Sequence, residues 1–240
     1  MRDLSATTTV GDVVAHDPRT AEVFTRHGID FCCGGRRTIG DVCSAEHLSS
    51  DELLSELREL EARGTPPADV TAWPLADLID HIVNRHHAFV RTQHPIISTH
   101  LERIVARHGK AHPELAEVAS VFSWVKDELL RHMQKEEMVL FPYIRLMDQT
   151  RRADRPAPRA PFGSVSNPVA MMVHEHEQAA NALARLNALT NGYSVPDDGC
   201  ATYRAAMAAI AEFDADLRQH VHLENNVLFP AAERLERDLP

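Results

Sequence analysis

The stretch from His132 to Pro142 recurs from His220 to Pro230, with histidine, glutamate, valine, leucine, phenylalanine and proline matching at a constant offset of 88 residues. Such a repeat means that the chain builds two related helical hairpins. Within each copy the histidine and the glutamate are four residues apart, so both project from one helical face on successive turns. That face is the apolar one: Leu129, His132, Glu136 and Leu140 line up, as do Leu217, His220, Glu224 and Leu228. An ionised carboxylate aimed at a core is costly unless it is paired, hydrogen-bonded or bound to metal. Two such pairs at matching heights make metal the cheapest account.

The first helix of each hairpin is expected to add one ligand. His176 lies on the apolar stripe of Met172, Ala179 and Leu183, whereas His174 falls on the polar side. An offset of 89 from His176 leads back to His87. Periodicity alone does not separate His87 from His86; the repeat selects His87. Antiparallel pairing of His87 with His132 needs a turn near Gly109, and pairing of His176 with His220 needs one near Pro196-Asp197-Asp198-Gly199. Both are present. His108 is also on an apolar stripe, but 21 residues of straight helix at about 1.5 Å each put it roughly 30 Å from His87.

The remaining composition supports an all-α chain. Aromatics are 5% of the residues while Ala, Leu and Glu abound, favouring helix over sheet. A formal charge of −10 argues against nucleic acid or anionic lipid as partner. No apolar run approaches the ~18 residues that suggest a membrane span, so a cytoplasmic location is expected. The four cysteines form neither a zinc-type spacing nor a secreted disulfide framework.

Along the chain, Asp17-Pro18 and Gly28 bracket a short helix over 18–27. Ile29 to Gly35 reads as a turn, and Ser49 with Glu52 resembles a capping box opening a helix that ends at Gly64. Residues 1–64 thus form a small helical domain, 65–74 a linker around Pro66-Pro67, and 75–240 a four-helix bundle in two hairpins. Runs from Pro74 to His108-Gly109 and from Leu115 to Leu140-Phe141-Pro142 make the first hairpin. Residues 151–168, with four prolines, read as an extended connection, after which Asn167 caps a helix to about Leu189 and a last helix leads to Phe229-Pro230.

Four imidazoles and two carboxylates suit iron better than a soft-metal site, and the lack of cysteine among them argues against structural zinc. Manganese or zinc stays open from sequence alone. Six protein ligands cannot fill two octahedral shells, which leaves positions for solvent, an oxo bridge or a small molecule. Carboxylate-bridged di-iron and di-manganese sites in helical bundles commonly draw histidine and glutamate from facing helices.

The His-x-x-x-Glu pairs ending in Leu-Phe-Pro, together with Glu175-His176-Glu177 and Asp80-His81-Ile82, resemble the hemerythrin-like domain of the di-iron proteins that repair iron-sulfur clusters. Asp30-Phe31-Cys32-Cys33-Gly34-Gly35 resembles the cysteine-pair domain that precedes it in that family, and the two regions cover nearly the whole chain. The resemblance implies that His87, His132, Glu136, His176, His220 and Glu224 hold two iron ions per chain, oxo- and carboxylate-bridged. It implies restoration of clusters damaged by oxidative or nitrosative stress, by supplying iron to apo or damaged iron-sulfur proteins. His222 departs from the family, where a small polar residue is expected, and reads as a group behind the ligands or at the surface.

Adjacent Cys32 and Cys33 have alpha carbons about 3.8 Å apart, below the usual disulfide range. They read as exposed thiols that bind iron, trap nitric oxide or bridge to a second chain as a homodimer, while Cys43 and Cys200 read as packed cysteines. Glu175 is expected to line an approach to the metal. Competing with iron donation are a nitric oxide or peroxide reductase, which would turn over with an electron donor, and a sensor or carrier of dioxygen.

Overall fold

The computed structural model describes residues 4–64, 69–156 and 158–239, so the expected linker over 65–74 lies partly outside the described residues. Among these the chain is helical, with a lone antiparallel bridge between Thr9 and Thr38. Contacts divide it into two compact units.

One unit comprises the described residues of Met1–Ile79, Met147–Ala157 and Gln219–Pro240. It opens with α1 (Val10–His16), whose N-cap Thr9 accepts the Asp12 amide, and α2 (Thr20–Arg26), which stops at Gly28 with φ of 69°. Gly28 is in the left-handed region that glycine adopts without a Cβ penalty. α3 (Ile39–Ala45) starts from a reciprocal Thr38–Asp41 capping box, and α4 (Ser50–Ala62) from Ser49, whose hydroxyl accepts the Glu52 amide. Phe24, Ile39 and Leu57 are fully buried, which ties α2, α3 and α4 together. α5 (Leu75–His81) follows Pro74. The unit is completed by the final turn of α10 (Ala201–His222), the π-helical turn Leu223–Leu228 and α11 (Phe229–Asp238).

The other unit, Asp80–Leu146 and Pro158–Arg218, is the bundle. Its rods are α6 (Ala88–His108), α7 (Glu114–Lys135), α9 (Ser166–Leu189) and α10 up to Arg218, while α8 (Phe141–Arg152) begins within it. Ile97, Leu101, Phe122, Val125, Leu183, Ile210 and Phe213 are buried along the inner faces. Phe213 packs edge-on to Phe122 at 5.4 Å between ring centres. The helices break where expected, after His108 and after Leu189, although the second break is wide and carries Asn191, Gly192 and Tyr193 at positive φ.

Three differences from expectation have physical causes. The rods do not end at Leu-Phe-Pro: α8 and α11 carry the helix through Pro142 and Pro230. Proline lacks the N–H that an α-helix needs there, and the preceding turns Glu136–Leu140 and Leu223–Leu228 are wound as π-helix, a form that occurs as one-turn insertions inside α-helices. A third π turn, Ile82–His87, has no proline behind it. Second, the 151–168 connection is shorter, because α8 runs to Arg152 and α9 starts at Ser166. Third, Asn167 does not cap α9; its amide donates to the Phe162 carbonyl at 2.9 Å.

Candidate metal centre

Glu136 sits at the join between α7 and its π turn and is fully buried. Its two oxygens face different histidines: Oε1 is 3.3 Å from His132 Nε2 and Oε2 is 3.4 Å from His87 Nε2. Both distances exceed a good hydrogen bond. Two donors at about 2.1 Å from one ion and at right angles would be separated by about 3.0 Å. A carboxylate with one such neighbour on each oxygen has the form of a bridge between two ions. His176 approaches from α9, its Nε2 at 3.0 Å from His132 Nε2, and His132, Glu136 and His176 offer donor atoms all within 4.8 Å of one another. Of the remaining predicted ligands, His220 and Glu224 are buried and paired on successive turns, Nε2 to Oε1 at 3.0 Å.

The back nitrogens show why the rings are aimed this way. His132 Nδ1 lies 2.9 Å from Glu175 Oε2, and His87 Nδ1 lies 2.6 Å from Glu137 Oε1. Hydrogen bonds from His132 and from Lys135 hold the Glu175 carboxyl down at about 2. Burial opposes ionisation of Glu137, but bonds from His87 and Arg91 outweigh it and hold its carboxyl below the usual value. Ionised carboxylates only accept, so each Nδ1 carries a proton and Nε2 is the nitrogen that faces Glu136. A carboxylate behind a ligating imidazole is the usual support of a metal-bound histidine. Phe141 stacks on the His87 ring at 5.8 Å and covers it from solvent.

At the π turn Ile82–His87 the two adjacent histidines face different partners. Both His86 and His87 are buried, yet His86 turns its Nδ1 to Asp216 Oδ1 at 3.1 Å while His87 faces Glu136. Glu175, expected to line an approach to the metal, instead meets the back nitrogen of His132. Its counterpart Glu137 and the His86 partner Asp216 were missed in the sequence. Both outer glutamates stand next to a predicted ligand, Glu137 after Glu136 and Glu175 before His176, and that adjacency is the signal that could have marked them.

In the other unit the cysteine turn is less open than expected. Cys32 is buried and Cys33 half-buried. Asp30 Oδ1 accepts the backbone amides of Cys32 and Cys33 at 2.9 and 3.0 Å and the Cys32 thiol at 3.0 Å. The hydrogen bond with Cys33, then burial and the Asp30 charge, push the Cys32 thiol well above its ordinary value, so it is a protonated thiol. Asp30, Cys32 and Cys33 still bring three potential donors within 4.8 Å. Asn226 clamps this turn, its amide donating to the carbonyls of Phe31 and Cys32 at 3.3 and 2.9 Å. His222 is buried, not exposed: its ring meets Phe31 edge-on at 5.9 Å, and burial pushes it down to about 4.

Residues 77–232 match the family model described as the hemerythrin HHE cation binding domain, and residues 6–61 match one described as a domain of unknown function, DUF542. The chain is 36% identical over 233 residues to the "Iron-sulfur cluster repair protein YtfE" of Pectobacterium atrosepticum, covering 95% of this chain and 97% of that protein. Proteins of the same name from Musicola paradisiaca and Yersinia pestis are each 34% identical, covering 95% and 91% of this chain and 96% and 93% of theirs.

Proposed function

Because the chain belongs to the hemerythrin HHE cation-binding family, we propose that it holds two iron ions and helps to restore iron-sulfur clusters damaged by oxidative or nitrosative stress, by supplying iron. Glu136 carries this reading, with one oxygen toward His87 and the other toward His132. In it His87, His132, Glu136, His176, His220 and Glu224 would hold the ions, with Glu224, by the repeat, in the same part as Glu136. An oxo bridge or solvent would complete the coordination. The relatives named for iron-sulfur cluster repair, matched over nearly their whole length, support the role. Clients are apo or damaged iron-sulfur proteins, with nitric oxide or dioxygen as the small molecules that reach the iron, in the cytoplasm. Among the described residues no helix is long and apolar enough to cross a membrane. Residues 1–64 and 75–240 are two domains joined by 65–74, a division supported by the separate family matches.

Bound iron would supply a redox-active centre with coordination positions left for small molecules. The protein's own contribution is orientation and exclusion of water. Glu137 and Glu175 fix two imidazoles, Arg91 and Lys135 neutralise those carboxylates, and Phe141 shields His87. A mono-cationic or neutral pocket would hold iron weakly; buried carboxylates matched to divalent charge hold it while ionised.

The test is metal content and optical spectrum of protein from iron-replete cells, beside the Glu136→Leu/Glu224→Leu double variant. About two irons per chain with an oxo-bridge band, lost in the variant, is the expected outcome. Iron that then passes to an apo iron-sulfur protein supports donation. A wild type without iron, or a variant that keeps all of it, overturns the ligand assignment, and loaded protein that never yields iron overturns donation alone.

A further inference from the structure

The unit that holds the cysteine turn carries a cavity of about 400 Å³, walled by that turn on one side and by α11 on another. Three arginines line it. Arg36 directly follows Gly34-Gly35, and Arg234 and Arg237 are three residues apart on α11, hence on one helical face. All three are exposed, and none forms an ion pair or a side-chain hydrogen bond among the described residues. Other arginines of this unit are paired: Arg19 with Asp17, Arg26 with Glu56, and both Arg151 and Arg152 with Asp148. Asp12 and Glu233 share the cavity walls, yet neither takes one of the three guanidinium groups.

The frame around these side chains is fixed by the backbone. The Gly11 amide donates to the Gly35 carbonyl at 2.8 Å, the Val10 amide to the Arg37 carbonyl at 3.0 Å, and the Arg37 amide to the Gly34 carbonyl at 3.0 Å. The chain on both sides of Arg36 is thereby tied to α1 and to its own turn. Asn226, which clamps the turn, and Asn225, only 6% exposed, complete the lining with neutral amides. Guanidinium groups on such a frame bind carboxylate or phosphate oxygens through parallel N–H donors. A second cavity of about 770 Å³ shares Asp12, Asn226 and Arg234, but its other arginines, Arg151 and Arg152, are neutralised by Asp148. The unmatched positive charge is therefore gathered in the smaller cavity. In a chain of formal charge −10, an anion gains attraction only at such a local concentration of arginine.

We propose that this cavity is a binding site for a small multivalent oxyanion, a molecule bearing two or three carboxylate or phosphate groups. Arg36 meets one group from the turn, and Arg234 and Arg237 meet the others from α11. A singly charged ligand would leave guanidinium groups unmatched, and the volume lies at the small end of the ~300–1,000 Å³ typical of small-molecule sites. None of the six candidate metal ligands lines the cavity, so the site stands independently of the iron reading. By joining the cysteine turn to α11, the bound anion stabilises the folded unit by mass action.

Titration calorimetry and thermal unfolding of the full-length protein test this, with propane-1,2,3-tricarboxylate and pyrophosphate as probes. Acetate, and sodium chloride at matched ionic strength, are the controls. At least one probe should bind at one site per chain and raise Tm, while the controls do neither. Binding of the tricarboxylate alone identifies a carboxylate ligand, binding of pyrophosphate alone a phosphate ligand, and binding of both the shared chemistry. Arg36→Gln and Arg234→Gln change exposed side chains and should keep the fold, each weakening the interaction about tenfold by loss of a charge-assisted contact. Arg151→Gln, in the neighbouring cavity, should bind as the wild type does. A response to both probes no larger than that to the controls overturns the proposal. So does binding that Arg36→Gln and Arg234→Gln leave intact, since the anion would then sit elsewhere, the metal centre included.

Discussion

His87 and His132 each give their Nδ1 proton to a carboxylate outside the cluster, leaving Nε2 to face Glu136. Removal of such a supporting carboxylate typically costs metal proteins about 10–100-fold in affinity. Glu175→Ala should therefore weaken iron retention by about that range in a chelator competition, while Glu175→Gln, which keeps an acceptor, should lose less. Equal retention by wild type and Glu175→Ala would show that the His132–Glu175 bond does not support a ligand. At this scale the buried cluster of candidate ligands was legible, because helical spacing and an 88-residue repeat identify side chains on one face. Their supporters were less so. Glu137 is distinguished from other surface glutamates only by which nitrogen it meets, and that depends on how α6 and α7 pack.

At the level of elements, the two hairpin turns of the bundle are clasped by His112 and Asp198, at 3.0 Å. The hydrogen bond raises the His112 value and lowers that of Asp198. A raised histidine stabilises fully below its unfolded value of about 6.5 and loses that contribution as pH climbs through the folded value. A lowered aspartate stabilises above its unfolded value of about 3.9 and loses its share as pH falls through the folded one. The clasp is thus strongest in mildly acidic solution, between those unfolded values. Thermal unfolding of wild type should show a downward step in stability as pH rises past about 6.5 that is reduced in Asp198→Asn; parallel curves would remove the clasp from the account. The long rods were readable from periodicity over many turns. The short helices α1 and α3, seven residues each, were not, since two turns carry too few apolar positions to define a face. The π turns before Pro142 and Pro230 escaped for another reason: a proline in the sequence looks like a stop, although the helix runs on through it.

On the scale of the whole chain, the cysteine turn and the last helical segment belong to one compact unit, although nearly two hundred residues separate them. The close approach depends on glycine. A Cβ on Gly35 would come within 2.5 Å of Asn226 Oδ1 and 2.7 Å of the Phe31 carbonyl oxygen. Asn226→Ala, by deleting the two bonds to Phe31 and Cys32, should cost about 1–3 kcal/mol and speed labelling of Cys32; unchanged labelling would mean that the turn holds its shape unaided. Gly35→Ala should do the same by steric pressure. Sequence could mark the turn by its Gly-Gly but not its partner, because a contact at this separation leaves no local pattern. Beyond Leu228 the chain contributes Phe229, Ala232 and Leu235 to the buried interior of this unit. In genetic terms, a stop codon after Leu228 would leave all six candidate ligand codons intact, yet its phenotype should resemble damage to the opening cysteine module.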